Sequence, residues 1–362
     1  VSALFGKVME STGAAAAIAR GLANLLGEKF AILGVLFAGM VLTYGGISAL
    51  VIAFTMYPLT LAVFKRANMP RRLIPGAIAA GCFTFAAAAL PGTPQTLNVT
   101  PIPYLGTTVT AGAAIGIICG IIGIVMICVY MYWEAARARA AGDGFVADTA
   151  TLETMARADE MGANINPFVA LIPILVIIVL LVGLQINVLI SMLAGSLVCV
   201  LLFFKNVKNV SGLLGDSIQS ATNAAITTGC IVGYGSVVSA STGYATLSAA
   251  LLSLDAPPLI SYGLTTTILA GAAGSGTGGL AIALENLAPQ YLAMGIPAEL
   301  LHRIGCLSAI GLDSLPHCGA VVVLLTLAGM THKDSYKQIF VTTVVITLIV
   351  AAIGIALATI MY

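Results

Sequence analysis

Long apolar runs alternate with short polar interruptions along this chain, and the length of each run assigns it. A hydrocarbon core about 30 Å thick is crossed by about 20 apolar residues in helical form. Eight runs approach that length: 2–26, 73–97, 109–133, 167–184, 187–204, 220–254, 300–330 and 339–361. Two others are too long for one crossing and are split by glycine. Run 30–64 is broken at Tyr44-Gly45-Gly46, and run 259–290 at Gly274-Ser275-Gly276-Thr277-Gly278-Gly279. Each reads as a helix, a turn and a returning helix, that is, a re-entrant hairpin or a tight pair of spans. The runs starting at Leu73 and Leu300 are interrupted at 90–95 and 315–319, where Pro91, Pro94 and Pro316 remove backbone donors and force the chain to unwind.

The punctuation occurs twice. Ser11-Thr12-Gly13 returns as Ser241-Thr242-Gly243, Gly46 as Gly276, Leu50 as Leu280, Pro70 as Pro297 and Leu90-Pro91 as Leu315-Pro316. Repeats of this kind in a membrane protein predict a site between interrupted helices near the bilayer midplane. The expected architecture is all-α and polytopic, with a first repeat over 1–133, a hydrophilic linker over 134–166, two connecting helices within 167–219 and a second repeat over 220–362. The linker holds nine of the 29 charged residues. Cytoplasmic loops favour Lys and Arg, and one threading puts thirteen of the fifteen basic residues on that side, leaving out Lys7 and Arg303. The same threading starts the two repeats on opposite sides, so they are expected to be inverted.

Composition agrees with a membrane protein. Of 362 residues 59% are hydrophobic and 8% charged, too little polar surface to cover a water-soluble globule. A net charge of +1 with scattered basic residues argues against a nucleic-acid partner. The seven cysteines lie in apolar stretches without a Cys-x-x-Cys pair and read as packing residues, so neither metal nor cofactor is expected. The chain opens at Val1 with no visible signal peptide, and further N-terminal helices are expected to precede it.

Unpaired backbone groups at the four breaks must line protein or a wet cavity, and glycine turns at helix amino ends offer donors to an anion. The substrate, a small organic anion, is therefore assigned to Thr43, Gly45, Gly46 and Ser48 at the first turn; Gly92, Thr93, Gln95 and Asn98 at the first proline break; Ser275, Gly276 and Thr277 at the second turn; and Ser314 at the second break. Asp313 lies inside an apolar segment, where ionisable groups are rare and mostly functional. With His317, and more weakly Glu285, it is the candidate for a coupling proton. The competing reading is a structural Asp that caps a broken helix. Lys7 and Glu10 are expected to pair, His302-Arg303 to form a gate or interfacial anchor, His332 to be solvated, and Tyr130, Tyr132 and Trp133 to mark a membrane interface.

These residues also carry a family resemblance. The run from Gly274 to Leu280, Ala283-Leu284-Glu285, Leu301-His302-Arg303, Leu312-Asp313-Ser314-Leu315-Pro316-His317 with Gly319-Ala320, and Thr331-His332-Lys333 with Ser335-Tyr336 together resemble the gluconate permease family of the ion transporter superfamily. In the first half, Leu42-Thr43-Tyr44-Gly45-Gly46 and the run from Ala89 to Gln95 are similar to the same pattern. The resemblance implies proton-coupled import of gluconate, 3-hydroxybutyrate or D-serine across the cytoplasmic membrane. It further implies an elevator-type transport domain and a homodimer. Cys318 stands where the family more often has Asn. Sodium coupling, a channel, and an intramembrane serine hydrolase built on Ser275 and His317 are the rival readings; the last lacks a complete nucleophile elbow, since Ala273 precedes Gly274-Ser275.

Overall fold

The computed structural model describes residues 1–148, 165–207, 210–239 and 257–361, together with Thr151, Thr242 and Thr246. Among the described residues every regular element is helical. The first half comprises α1 (Ser2–Ser11), α2 (Ala14–Leu26), α3 (Ala31–Tyr44), α4 (Ala49–Arg66), α5 (Ile74–Cys82), three short helices α6 (Phe85–Ala88), α7 (Thr96–Val99) and α8 (Ile102–Leu105), and the long α9 (Ala113–Ala140). The connecting elements are α10 (Pro167–Ala170), α11 (Ile172–Ile178) and α12 (Val188–Leu202). The second half comprises α13 (Val210–Ser239), α14 (Pro258–Ala273), α15 (Gly276–Ala293), α16 (Ala298–Ala309), α17 (Gly319–Leu327), α18 (His332–Phe340) and α19 (Ile346–Met361).

Among the described residues three helices are long and apolar enough on their own to cross a bilayer: Ala49–Arg66, Ala113–Ala140 and the continuous stretch His332–Met361. α13 is as long but more polar, with Asp216, Gln219 and Asn223 along it, and most of the remaining helices are shorter because the chain breaks them. The run 2–26, expected as one span, is two helices, since Gly13 adopts a left-handed φ of 81° between α1 and α2. α2 then meets the following helical stretch, Glu28–Tyr44, at 111°. α9 continues past Trp133 into the expected linker because Glu134-Ala135-Ala136-Arg137 favours helix as much as the apolar run before it. α13 begins ten residues ahead of the expected 220, and Ser241 and Gly243 of the repeat lie outside the described residues.

Two helical hairpins, α3–α4 and α14–α15, carry Gly46 and Gly276 at their tips. The second is tighter than its glycine run suggests. Only Gly274 and Ser275 leave the helix: Gly274 takes a left-handed φ of 59°, and the Ser275 side chain accepts from the Gly278 amide, starting α15 at once. Gly279 is then a helical contact residue, since a Cβ there would run into the Ala270 backbone of the opposite arm. The second break, conversely, is longer than its Leu-Pro-His signature. Helix ends at Ala309 and resumes at Gly319, so Asp313 and Ser314 sit on irregular backbone.

Apolar stripes at helical spacing face outward, with Ile117, Ile121, Val125 and Val129 on α9 and Leu189, Leu193, Leu197 and Leu201 on α12. These are lipid-facing surfaces of a membrane protein. At the opposite polarity, Arg137 lies over the Trp133 ring at 5.5 Å beside Tyr130, and Lys7 pairs with Glu10 at 3.0 Å.

Candidate functional site

All four breaks open onto one cavity of about 630 Å³. Ser48 and Leu50 contribute from the first hairpin, Phe83, Gln95 and Leu97 from the first broken helix, Gly274 to Thr277 from the second hairpin, and Asp313, Ser314, His317 and Gly319 from the second break. Of the residues assigned to substrate or proton from the sequence, Ser48, Gln95, Ser275, Gly276, Thr277, Asp313, Ser314 and His317 line it. No Lys or Arg does so among the described residues; the ionisable groups of the wall are Asp313, His317 and the thiols of Cys82 and Cys318.

Thr43, Gly45, Gly46, Gly92, Thr93 and Asn98 instead stand behind the wall and hold it. Gly92, at φ +88°, passes so close to Val182 that a Cβ would approach its Cγ2 to 2.6 Å, and its amide donates to the Val109 carbonyl. Gly46, at φ +92°, is packed against Pro94 and Met192 in the same way, while Gly45 abuts Ile174. Thr93 Oγ1 donates to the Tyr44 carbonyl at 3.1 Å, and Asn98 Nδ2 donates to the carbonyls of Thr93 and Val109, each at 2.9 Å. Glu285 does not line the cavity. It lies roughly 14 Å down α15 from the tip at 1.5 Å per residue, and it is exposed, with Tyr104 nearby.

The polar side chains of each break bind the free helix ends of the hairpin they face. Gln95 Nε2 donates to the carbonyls of Thr43, at 2.7 Å, and Ile47, at 2.9 Å, spanning the first turn. His317 Nε2 donates to the Gly271 carbonyl in the last turn of α14 at 2.9 Å. A carbonyl can only accept, so that nitrogen carries the hydrogen. Across the turn, the Asp313 carboxylate faces the amino end of α15: the Gly276 amide bonds to it, Ser314 Oγ donates to it at 2.8 Å, and a Cβ on Gly276 would lie 2.7 Å from Oδ2. The capping reading of Asp313 and its role in the cavity wall are thus the same position.

Three features were not legible from spacing. The carbonyls of the second break are held from α18, with Tyr336 donating to Ser314 at 2.9 Å and His332 Nε2 to Pro316 at 2.8 Å. His332 is exposed, but it is bonded rather than simply solvated. Tyr44 donates to the Pro91 carbonyl at 2.8 Å. Finally, His302 and Arg303 form no gate or interface anchor, since both are fully buried. Arg303 donates to the carbonyls of Ala88, at 2.8 Å, and Ala111, at 2.7 and 3.0 Å, where the first half leaves helical geometry. His302 bridges Thr107 at 2.7 Å and the Asn98 oxygen at 3.3 Å. Asn98 spends both amide hydrogens on carbonyls, so its oxygen accepts and His302 Nε2 donates.

Residues 1–184 match the profile of the GntP family permeases. Over 98% of its length the chain is also 33% identical to the uncharacterized transporter YxjC of Bacillus subtilis (strain 168), of which it covers 84%. The chain belongs to the GntP permease family. It is accordingly a membrane transporter and not an enzyme. The permease fold is similar to the crystal structure of the Alcanivorax borkumensis YdaH transporter, described as having an unusual topology. The TM-score is 0.61 at 16% identity, covering 99% of this chain and 83% of that one. That likeness extends the fold assignment across the second half, beyond the segment the family profile covers.

Proposed function

We propose that this permease is a secondary active transporter that carries a small hydroxy-carboxylate together with a proton across the cytoplasmic membrane. The observation that carries the reading is the convergence of four helix breaks on one cavity whose wall has hydroxyls, amides and a single carboxylate, Asp313. Hydroxyls of Ser48, Ser275, Thr277 and Ser314 suit a hydroxylated solute, and Asp313 is placed to exchange a proton with the cavity. The matched order of hairpin, proline and broken helix in the two halves supports inverted repeats, and with them an elevator-type movement of the hairpins and broken helices against the rest.

The test is uptake into proteoliposomes of labelled gluconate, 3-hydroxybutyrate and D-serine, with an inward proton gradient, an inward sodium gradient, or neither. Accumulation driven by the proton gradient, with counterflow of label against unlabelled substrate, is the expected result. Accumulation that needs sodium would replace the coupling ion, and flux without counterflow would indicate a channel.

A further inference from the structure

Arg303 is a permanently charged group with no exposed surface in the middle of the protein. Buried charges are ordinarily matched by an opposite charge. Among the described residues no Asp or Glu approaches its guanidinium to ion-pair distance. Its three hydrogen bonds all go to main-chain carbonyls, which satisfy the N–H groups without neutralising the charge. The nearest acid on its own helix is Glu299, an exposed residue whose carboxylate reaches the Gly112 amide at 3.4 Å and is screened by solvent. Asp313 lies beyond the far end of α16, on the irregular stretch after Ala309, and makes no ion pair with Arg303.

The charge is nevertheless close to the cavity. Ala88, whose carbonyl takes the guanidinium, is next to Ala87 in the cavity wall, and one turn further along α16 the Cys306 thiol donates to the carbonyl of Leu97, another wall residue. At an effective dielectric of about 20, a unit charge about 10 Å away changes the affinity for an anion by roughly ten- to twenty-fold. Because the Asp313 side chain already occupies the amino end of α15, that helix end is closed to a substrate carboxylate, which is drawn instead toward the opposite, first-break side.

We propose that Arg303, from behind the wall and without touching the substrate, makes the cavity selective for anions and orients the carboxylate toward Ala87 and Leu97. Arg303 is a positioning residue whose medium of action is its field. The inference rests on the proposed carboxylate substrate.

The test measures binding of 3-hydroxybutyrate and of its uncharged methyl ester to the purified permease by ligand-induced thermal shift at several concentrations. Wild type should prefer the anion. Arg303→Gln should lower anion affinity about ten-fold or more while leaving ester affinity within about three-fold, and Arg303→Lys should restore most of the preference although it cannot make the same forked bonds. If Arg303→Gln does not fold, Cys119→Asp places a carboxylate on α9 beside the guanidinium and leaves its carbonyl bonds intact; it should collapse the anion-to-ester ratio in the same way. An unchanged ratio in folded Arg303→Gln or Cys119→Asp overturns the inference, as does equal loss in the Lys and Gln variants. Wild type that binds neither ligand, nor gluconate, would count against the carboxylate reading itself.

Discussion

Asp313 and His317 belong to one irregular stretch yet serve opposite helix ends, the carboxylate at the start of α15 and the imidazole at the last turn of α14. Helix amino ends favour negative groups and carboxyl ends favour donors, so the two side chains brace the second tip in the only polarity that suits both. Replacing Asp313 by Asn keeps its size and one acceptor oxygen but removes proton exchange. Uptake driven by a pH gradient is expected to fall at least ten-fold in this variant, whereas exchange of labelled for unlabelled substrate continues. Full gradient-driven accumulation by Asp313→Asn would contradict a role in coupling. The sequence disclosed Asp313 because an acid within an apolar run is conspicuous. It did not disclose the roles of Gln95 or Arg303, whose partners are carbonyls about 50 and 200 residues away in the chain, chemically anonymous until the fold brings them close.

At the scale of elements, the two hairpins are held by different means, and the difference sets what each tolerates. The second relies on direct backbone approach at Gly279. Gly279→Ala should lower stability by about 1–3 kcal/mol through overpacking, read as a lower melting temperature in detergent. Gly229→Ala, on an exposed face of α13 with open space around it, should be neutral or slightly stabilising because alanine is the better helix former. The first hairpin relies on Gln95. Gln95→Ala leaves the Ile47 carbonyl without its donor and the Thr43 carbonyl with the Gly46 amide alone, at a cost of about 1–3 kcal/mol, and loosens the tip that presents Ser48 to the cavity. A several-fold rise in transport KM should accompany the lower melting temperature; a normal KM would separate the tip from substrate binding. Glycine and proline punctuation located all four breaks, since local backbone chemistry is local in sequence. Their extents at 274–279 and 315–319 differ from what the punctuation implies because capping by Ser275, and the long unwound stretch after Ala309, depend on contacts between elements.

For the molecule as a whole, the stretch after α9 is strapped to the stretch before α5. Arg72 pairs with Asp143 at 2.8 Å and Arg71 with Asp148 at 3.1 Å, while Ser335 of α18 donates to the Arg72 carbonyl at 2.6 Å. The hydroxyl and amide of Thr151, with Arg71, hold Asp148 well below the ordinary carboxylate range, at about 2. A depressed carboxylate stabilises the folded arrangement at all pH values above its unfolded value, and that contribution is lost as pH falls through the folded value. Hydrogen-exchange protection across 141–148, taken relative to the intrinsic amide rate at each pH, should therefore be unchanged from pH 8 to about pH 4 and fall below about pH 3. Protection that already falls near pH 6 would assign the strap to a different group.

The guanidinium buried behind the cavity wall has a consequence for bioenergetics. If Asp313 is ionised in the empty permease, it offsets Arg303; if it is protonated in the loaded one, the substrate carboxylate takes over that offset. Both forms would then cross the bilayer with no net charge at the site. Each uncompensated charge moved through the field would cost or gain about 2.3 kcal/mol per 100 mV. On this count, an imposed membrane voltage should leave the uptake rate nearly unchanged, with the pH difference alone setting how far the substrate accumulates.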